Sequence, residues 1–151
     1  MPEPTDYIRY LELQPLPIEG GLFGESWRSA DGSAIYYLLV APAYSAPHRL
    51  DRTEVWVHHA GAPAAMLLLH PDGTIERVVL GTDVSAGERP QVVVPAGTWQ
   101  TTVTRGEWSL FSTIVIPAYT DDCVEFASAD KLAEQYPEAA AELHALRAPA
   151  D

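Results

Sequence analysis

The chain has 151 residues, of which 47% are hydrophobic and 20% are charged, a composition typical of a globular domain rather than of a disordered chain. Its formal net charge of −12 at pH 7 repels phosphate backbones and anionic lipid surfaces, so we expect neither nucleic acid nor a membrane as a partner. The single cysteine, Cys123, cannot form an internal disulfide, and a cytoplasmic protein is expected. We predict one domain over 1–151.

The N-terminal segment predicts a short helix followed by a loop. Residues 5–13 place Tyr7, Ile8 and Leu11 on one side of a helix that a preceding Thr or Asp can cap. Residues 14–21 include two prolines and two glycines, which disfavour regular structure.

The middle of the chain consists of short apolar runs separated by turn signals such as Pro71-Asp72-Gly73. The predicted strands are Leu22–Arg28, Ser33–Val40, 53–59, 65–70, 74–80, Gln91–Val94, Trp99–Thr104, Trp108–Ile116 and 123–127. Short strands at this spacing, with no helix between them, indicate an all-β sandwich or barrel.

The C-terminal tail changes from strand to helix periodicity. Residues 129–135 predict a first helix that ends before Pro137, and residues 137–146 predict a second one. Leu143 and Leu146 lie on one side of that second helix, so we expect it to pack on the outside of the sheet.

Residues 47–61 contain a histidine, a glutamate and a glycine at a specific spacing. His48 precedes Glu54, and Gly61 follows after six further residues. This order resembles the leading motif of the cupin family, in which H-x-H, Glu and Gly follow one another. Leu50 stands where that motif has its second histidine.

Residues 95–104 resemble the trailing cupin motif. Pro95 and Gly97 match it, whereas Gln100 stands at the position of a histidine and Thr104 at that of an asparagine. Two of the residue positions that bind metal in the family are therefore changed in this chain.

Over about residues 7 to 137 the chain resembles the RmlC-like cupin type 5 group, a domain of unknown function. The resemblance rests on the loop Glu19-Gly20-Gly21 and on segments 35–39, 90–100 and 132–137. It implies an all-β fold, a small cupin barrel (double-stranded β-helix or jelly roll) over about 21–127. Terminal helices over about 5–13 and 129–147 would pack outside. His58 departs from the group, which usually has an aromatic residue there.

Strand alternation predicts which side chains face the barrel interior. Glu54, Trp56 and His58 would point inward and His59 outward, while Gln100 and Thr102 share one face of their strand. Buried polar groups need partners, and a bound small molecule can supply them. The residues predicted to contact that molecule are Tyr37, Trp56, Gln91, Gln100 and Thr102.

Two kinds of chemistry remain open at these positions. His48, Glu54 and Gln100 occupy cupin ligand positions, and imidazole with carboxylate suits a divalent zinc, nickel, iron or manganese ion. Alternatively, Glu54 with His48 or His58 supplies catalytic acid–base groups and a tyrosine supplies a proton. In that case His48 and Glu54 would bind each other and the ligand, with no metal.

Three functions are compatible with such a barrel. The first is an enzyme that catalyses the isomerisation or cyclisation of a small molecule, or an elimination from it, with Glu54, His58 and His48 as catalytic residues. The second is a non-catalytic binder or sensor of a small, sugar-like metabolite, and the third is a metal-dependent oxygenase. We also expect a homodimer, because the aromatic strands Leu22–Arg28 and Ser33–Val40 offer an apolar face.

Overall fold

The computed structural model describes residues 1–146 and is dominated by β-strands. The strands are β1 Gln14–Pro15, β2 Leu22–Arg28, β3 Ser33–Val40, β4 Ser45–Leu50, β5 Thr53–Gly61, β6 Ala64–Leu69, β7 Ile75–Leu80, β8 Gln91–Val94, β9 Trp99–Thr104, β10 Trp108–Ile116 and β11 Val124–Phe126. The helices are α1 Pro4–Tyr10, α2 Ala129–Gln135 and α3 Ala140–Ala145, with short 3-10 turns at Val84–Ala86 and Pro137–Ala139.

The strands form two antiparallel sheets that pack face to face. One sheet has the order β1-β2-β3-β10-β5-β8, and the other has the order β11-β4-β9-β6-β7. Aromatic and aliphatic side chains from the inner faces fill one part of the space between the sheets, including Tyr37, Trp56, Met66, Leu68 and Phe111. This is the small all-β barrel that the strand spacing and the two motifs predicted.

Strand β4 and strand β1 are not among the predicted strands. Ser45–Leu50 reads as irregular because it contains Pro47 and polar residues, yet it pairs with β9 on one side and β11 on the other. Tertiary pairing thus overrides a weak local signal. Gln14–Pro15 pairs for two residues with β2 inside the predicted loop 14–21.

The terminal helices pack on the two outer faces of the barrel. Helix α1 ends at Tyr10, earlier than the predicted 5–13, and Tyr7 and Ile8 contact the cluster around Leu38 on the six-stranded sheet. Helix α2 has the predicted bounds, and its Leu132 packs against Leu67 and Trp99 of the other sheet.

Pro137 begins a 3-10 turn rather than the single predicted helix 137–146, and α3 follows it. The predicted end of the terminal helix at residue 147 lies outside the described residues. Within residues 1–146, no helix combines the length and the apolar composition needed to cross a membrane.

Candidate functional site

A cavity of about 560 Å³ opens at one end of the barrel, next to the loop before β2. Its size falls within the range of small-molecule sites in proteins. Apolar and aromatic side chains alternate in its wall with ionisable ones. The lining residues are Leu16, Pro17, Ile18, Glu19, Phe23, Glu25, Arg28, Ser33, Ile35, Tyr37, Glu54, Thr113, Val115, Tyr119, Asp121, Val124 and Phe126.

Glu54 lies at the inner end of this cavity. Alternation along β5 turns its carboxyl group inward, and the residue is only 7% exposed. Burial raises the pKa of the Glu54 carboxyl, and the negative charge of Glu19 raises it further. His48 and hydrogen bonds from Gln100 and Thr113 oppose this rise in pKa. A buried carboxyl group with a raised pKa in a cavity is a candidate for proton exchange with a ligand.

Trp56 and Gln100 hold Glu54 in a buried hydrogen-bond chain. The Trp56 indole N–H donates to Oε1 of Gln100 over 2.9 Å, and Nε2 of Gln100 donates to Oε1 of Glu54 over 2.8 Å. An indole nitrogen is only a donor, so it must face the oxygen of the Gln100 amide. The amide nitrogen therefore always faces Glu54.

This orientation does not fit the predicted metal set of His48, Glu54 and Gln100. The side-chain oxygen of Gln100, its one metal-binding atom, already accepts the Trp56 indole N–H, and the amide nitrogen points to Glu54. Within residues 1–146, no three His, Cys, Asp or Glu side chains are grouped so that they could hold a metal ion. In the structure Gln100 is a hydrogen-bond donor to Glu54, and its role as a metal ligand stays a prediction.

His48 lies behind the cavity wall rather than in it. Its Nδ1 is 2.7 Å from the carbonyl oxygen of Ala46, so Nδ1 carries the proton and Nε2 points toward Glu19. Nε2 of His48 and Oε1 of Glu19 are 3.7 Å apart, which is too long for a direct hydrogen bond. The predicted contact of His48 with Glu54 is thus an electrostatic influence rather than a hydrogen bond.

Glu19 is a cavity residue that was not among the predicted site residues. Its second carboxylate oxygen accepts the hydroxyl of Ser45 over 2.8 Å. The loop that presents it has Ile18 at φ 68° and Gly20 at φ 94°, and the positive φ of a β-branched residue is strained. One feature of the sequence could have identified this residue: Glu19 is an acidic residue within the loop that carries the family resemblance.

Two tyrosines contribute hydroxyl groups to the cavity. Tyr37, predicted as a ligand contact, donates its hydroxyl hydrogen to the carbonyl oxygen of Gly20 over 2.5 Å. Burial and the nearby Glu19 raise the pKa of Tyr37 well above its ordinary value. Burial also raises the pKa of Tyr119 to about 12. Both hydroxyls therefore stay protonated, and the hydrogen of Tyr37 is donated to Gly20 in this structure.

His58 faces the barrel interior as strand alternation predicted, but it lies away from the cavity. Four residues of extended strand separate it from Glu54, a distance of about 13 Å. Trp56 and Phe111 fill the intervening space, and Nε2 of His58 is 2.9 Å from the carbonyl oxygen of Ala62. The geometry therefore separates the predicted pair of Glu54 and His58. His59 points outward and contacts Ser112.

Three further predicted ligand contacts also lie outside the cavity wall. Gln91 is exposed on the outer face of β8, because its neighbour Val92 takes the inward position. Trp56 is fully covered, so its ring forms core rather than a stacking surface. Thr102 is completely buried, and its hydroxyl has no hydrogen-bond partner within residues 1–146.

Comparison with known families and structures is consistent with this architecture. The family model described as Cupin superfamily (DUF985) matches residues 5–127. No curated protein matches the chain. The predicted resemblance to cupins, and to this group within them, is confirmed.

Solved structures extend the similarity to the whole chain. Protein SO0799 from Shewanella oneidensis is 34% identical with a TM-score of 0.90, covering 99% of this chain and 100% of that one. A hypothetical protein from Leishmania major is 28% identical with a TM-score of 0.87, covering 95% and 98%. Oxalate decarboxylase from Bacillus subtilis shares only the fold, at 13% identity and a TM-score of 0.64 over 89% of this chain and 37% of that one.

Proposed function

Because the chain belongs to the Cupin superfamily (DUF985), whose fold serves both enzymes and binders, we propose an acid–base enzyme that rearranges a small molecule inside the barrel. The reaction is an isomerisation, cyclisation or elimination. The observation that carries this proposal is Glu54, a carboxyl group with a raised pKa at the inner end of a ligand-sized cavity.

In this proposal Glu54 is the general base. Its carboxylate removes a proton from a carbon or hydroxyl of the ligand, and the Gln100 amide and the Thr113 hydroxyl stabilise the ionised form beforehand. Tyr37, which stays protonated, releases its bond to Gly20 and donates to the oxygen on which negative charge develops. In an isomerisation, Glu54 then returns the proton to a different atom of the ligand.

No step of this scheme passes through a metal ion. The donor set at the cupin ligand positions fits a hydrogen-bond chain better than a metal site, since Gln100 offers its nitrogen to Glu54 and Leu50 replaces the second histidine. The oxygenase alternative needs such a site and is therefore the weaker of the sequence-based proposals.

Solvent deuterium provides the test. The purified protein is incubated in D₂O with a pool of small cellular metabolites, and mass spectrometry follows compounds that gain deuterium at carbon, together with the products of lower mass that an elimination would give. A base that exchanges its proton with solvent, and then returns a proton to the ligand, introduces deuterium into the ligand in this way. Glu54→Gln, which keeps the side-chain volume, should lower the rate by about 100-fold or more.

His59→Ala is the matched control, because His59 points away from the cavity and should leave the rate unchanged. If Glu54→Gln exchanges or converts ligands as fast as the unaltered protein, the proposal is wrong. If ligands bind but no member of the pool is ever altered or exchanged, the protein is a binder instead.

A further inference from the structure

The wall of the cavity carries more carboxyl groups than basic groups. Among the described residues, the lining includes the carboxyl groups of Glu19, Glu25, Glu54 and Asp121 and one guanidinium group, that of Arg28. The formal charge of −12 on the whole chain adds to this negative field. An anionic ligand would enter against it, whereas a cation would be attracted.

Arg28 is already paired within the protein, so it offers little to an anion. Its guanidinium group binds the carboxylate of Glu25 through Nε and Nη2 at 2.8 to 3.1 Å, and Nη1 donates to the carbonyl oxygen of Tyr119 over 2.7 Å. Asp121 lies near enough to act on Arg28 electrostatically. The positive charge at the mouth is thus balanced before any ligand arrives.

The inner end of the cavity is rich in hydrogen-bond acceptors. Glu54 presents a buried carboxyl group there, and Glu19 presents a second one, which accepts a hydrogen bond from the Ser45 hydroxyl. Both carboxyl groups line this cavity, and both act electrostatically on Tyr37. A ligand group with several N–H donors and a positive charge could donate hydrogen bonds to these carboxyl groups and balance their negative charge.

The remainder of the wall is apolar and aromatic, which distinguishes an organic cation from a bare metal ion. Phe23, Ile35, Val124 and Phe126 provide a surface for a hydrocarbon or ring body, and aromatic faces also attract organic cations. The acidic side chains are not grouped for metal binding within residues 1–146.

We propose that the ligand of this cavity is a small organic amine, with its ammonium group on Glu19 and its apolar body against Phe23 and Phe126. This inference rests on the proposed function only for the location of the site. The ammonium group binds Glu19 as its anchor, which leaves Glu54 to move a proton on the neighbouring atoms of the ligand.

Three probes that share one skeleton provide the test: 3-phenylpropylamine, 3-phenylpropan-1-ol and 3-phenylpropanoate. Calorimetry or ligand-observed NMR at low salt should give an affinity for the amine about 10-fold or more above that for the carboxylate. The preference should shrink when the salt concentration rises from 0.05 to 0.5 M, since the mouth of the cavity is open to solvent.

Glu19→Gln removes the charge of the anchor and keeps its volume. It should weaken amine binding about 5-fold or more and leave alcohol binding unchanged, and the retained alcohol binding also shows that the variant is folded. Glu134→Gln is the matched control, because it removes one negative charge from the exposed face of α2, away from the cavity.

The proposal is overturned if the carboxylate probe binds as well as the amine, or if Glu19→Gln weakens both neutral and cationic probes equally. Stoichiometric binding of zinc, nickel or manganese that Glu19→Gln abolishes, without any amine preference, would also overturn it. The outcome of the deuterium test of Glu54 does not depend on these binding measurements. A failure of the proposed ligand class can therefore be distinguished from a failure of the proposed acid–base function.

Discussion

Replacing Gln100 by Met should make Glu54 a weaker acid. Methionine fills a similar volume but cannot donate the 2.8 Å hydrogen bond that Nε2 of Gln100 gives to the Glu54 carboxyl group. A hydrogen bond to a charged group contributes about 1.5–3 kcal/mol, and here it favours the ionised form. Its loss should therefore lower the acid dissociation constant of Glu54 by about 10- to 100-fold.

The assay is a pH titration by NMR of the side-chain carboxyl carbons in ¹³C-labelled protein, with the Glu54 signal assigned by its absence in Glu54→Gln. Thr102→Val is the matched control, since Thr102 lies two residues along the same strand and its hydroxyl has no partner within residues 1–146. The Thr102 variant should leave the titration of Glu54 in place. An unchanged or lower pKa of Glu54 in Gln100→Met would refute the hydrogen-bond chain.

Three other measurements follow from the structure. Burial raises the pKa of Glu54, so the folded state holds this proton to higher pH than the unfolded chain does. The folded state therefore loses stability as the pH rises above the pKa of an unfolded glutamate. In urea titrations, Glu54→Gln should be more stable than the unaltered protein at pH 8 and equally stable near pH 4. Leu132→Ala should cost about 2–5 kcal/mol, because Leu132 is fully buried between α2 and the sheet. Light scattering should find a homodimer at micromolar concentration, and a stable monomer would contradict the predicted use of β2 and β3 as an interface.

The fold was predictable because the sequence repeats a simple pattern many times. Residues such as those of β5, in which Glu54, Trp56 and His58 alternate with less buried neighbours, specify both a strand and its inner face. The exceptions depend on distant partners. Ser45–Leu50 becomes a strand only because β9 and β11 pair with it, and no local pattern reports such pairing.

The sequence predicted which side chains of the candidate site face the barrel interior, but not which of them reach the cavity. Alternation showed that Glu54 and His58 face inward, yet it carries no information on which layers of the barrel are filled. Trp56 packs edge to face on both Tyr37 and Phe111 in the middle of the barrel, and this packing separates His58 from the cavity. Glu19 reaches the cavity from a loop, where strand periodicity gives no guide.

The large side chains that seal the barrel also determine what Glu54 can do. Trp56 occupies the space next to Glu54 on the same face of β5, and its indole N–H fixes the orientation of Gln100. If Gln100 were histidine, as the cupin motif has it, an imidazole nitrogen would face Glu54 and could bind a metal beside it. With Gln100 held by Trp56, the same position stabilises a carboxylate instead. Within this fold, one hydrogen bond from the core thus orients the Gln100 amide toward Glu54, and the proposed proton transfer by Glu54 depends on that orientation.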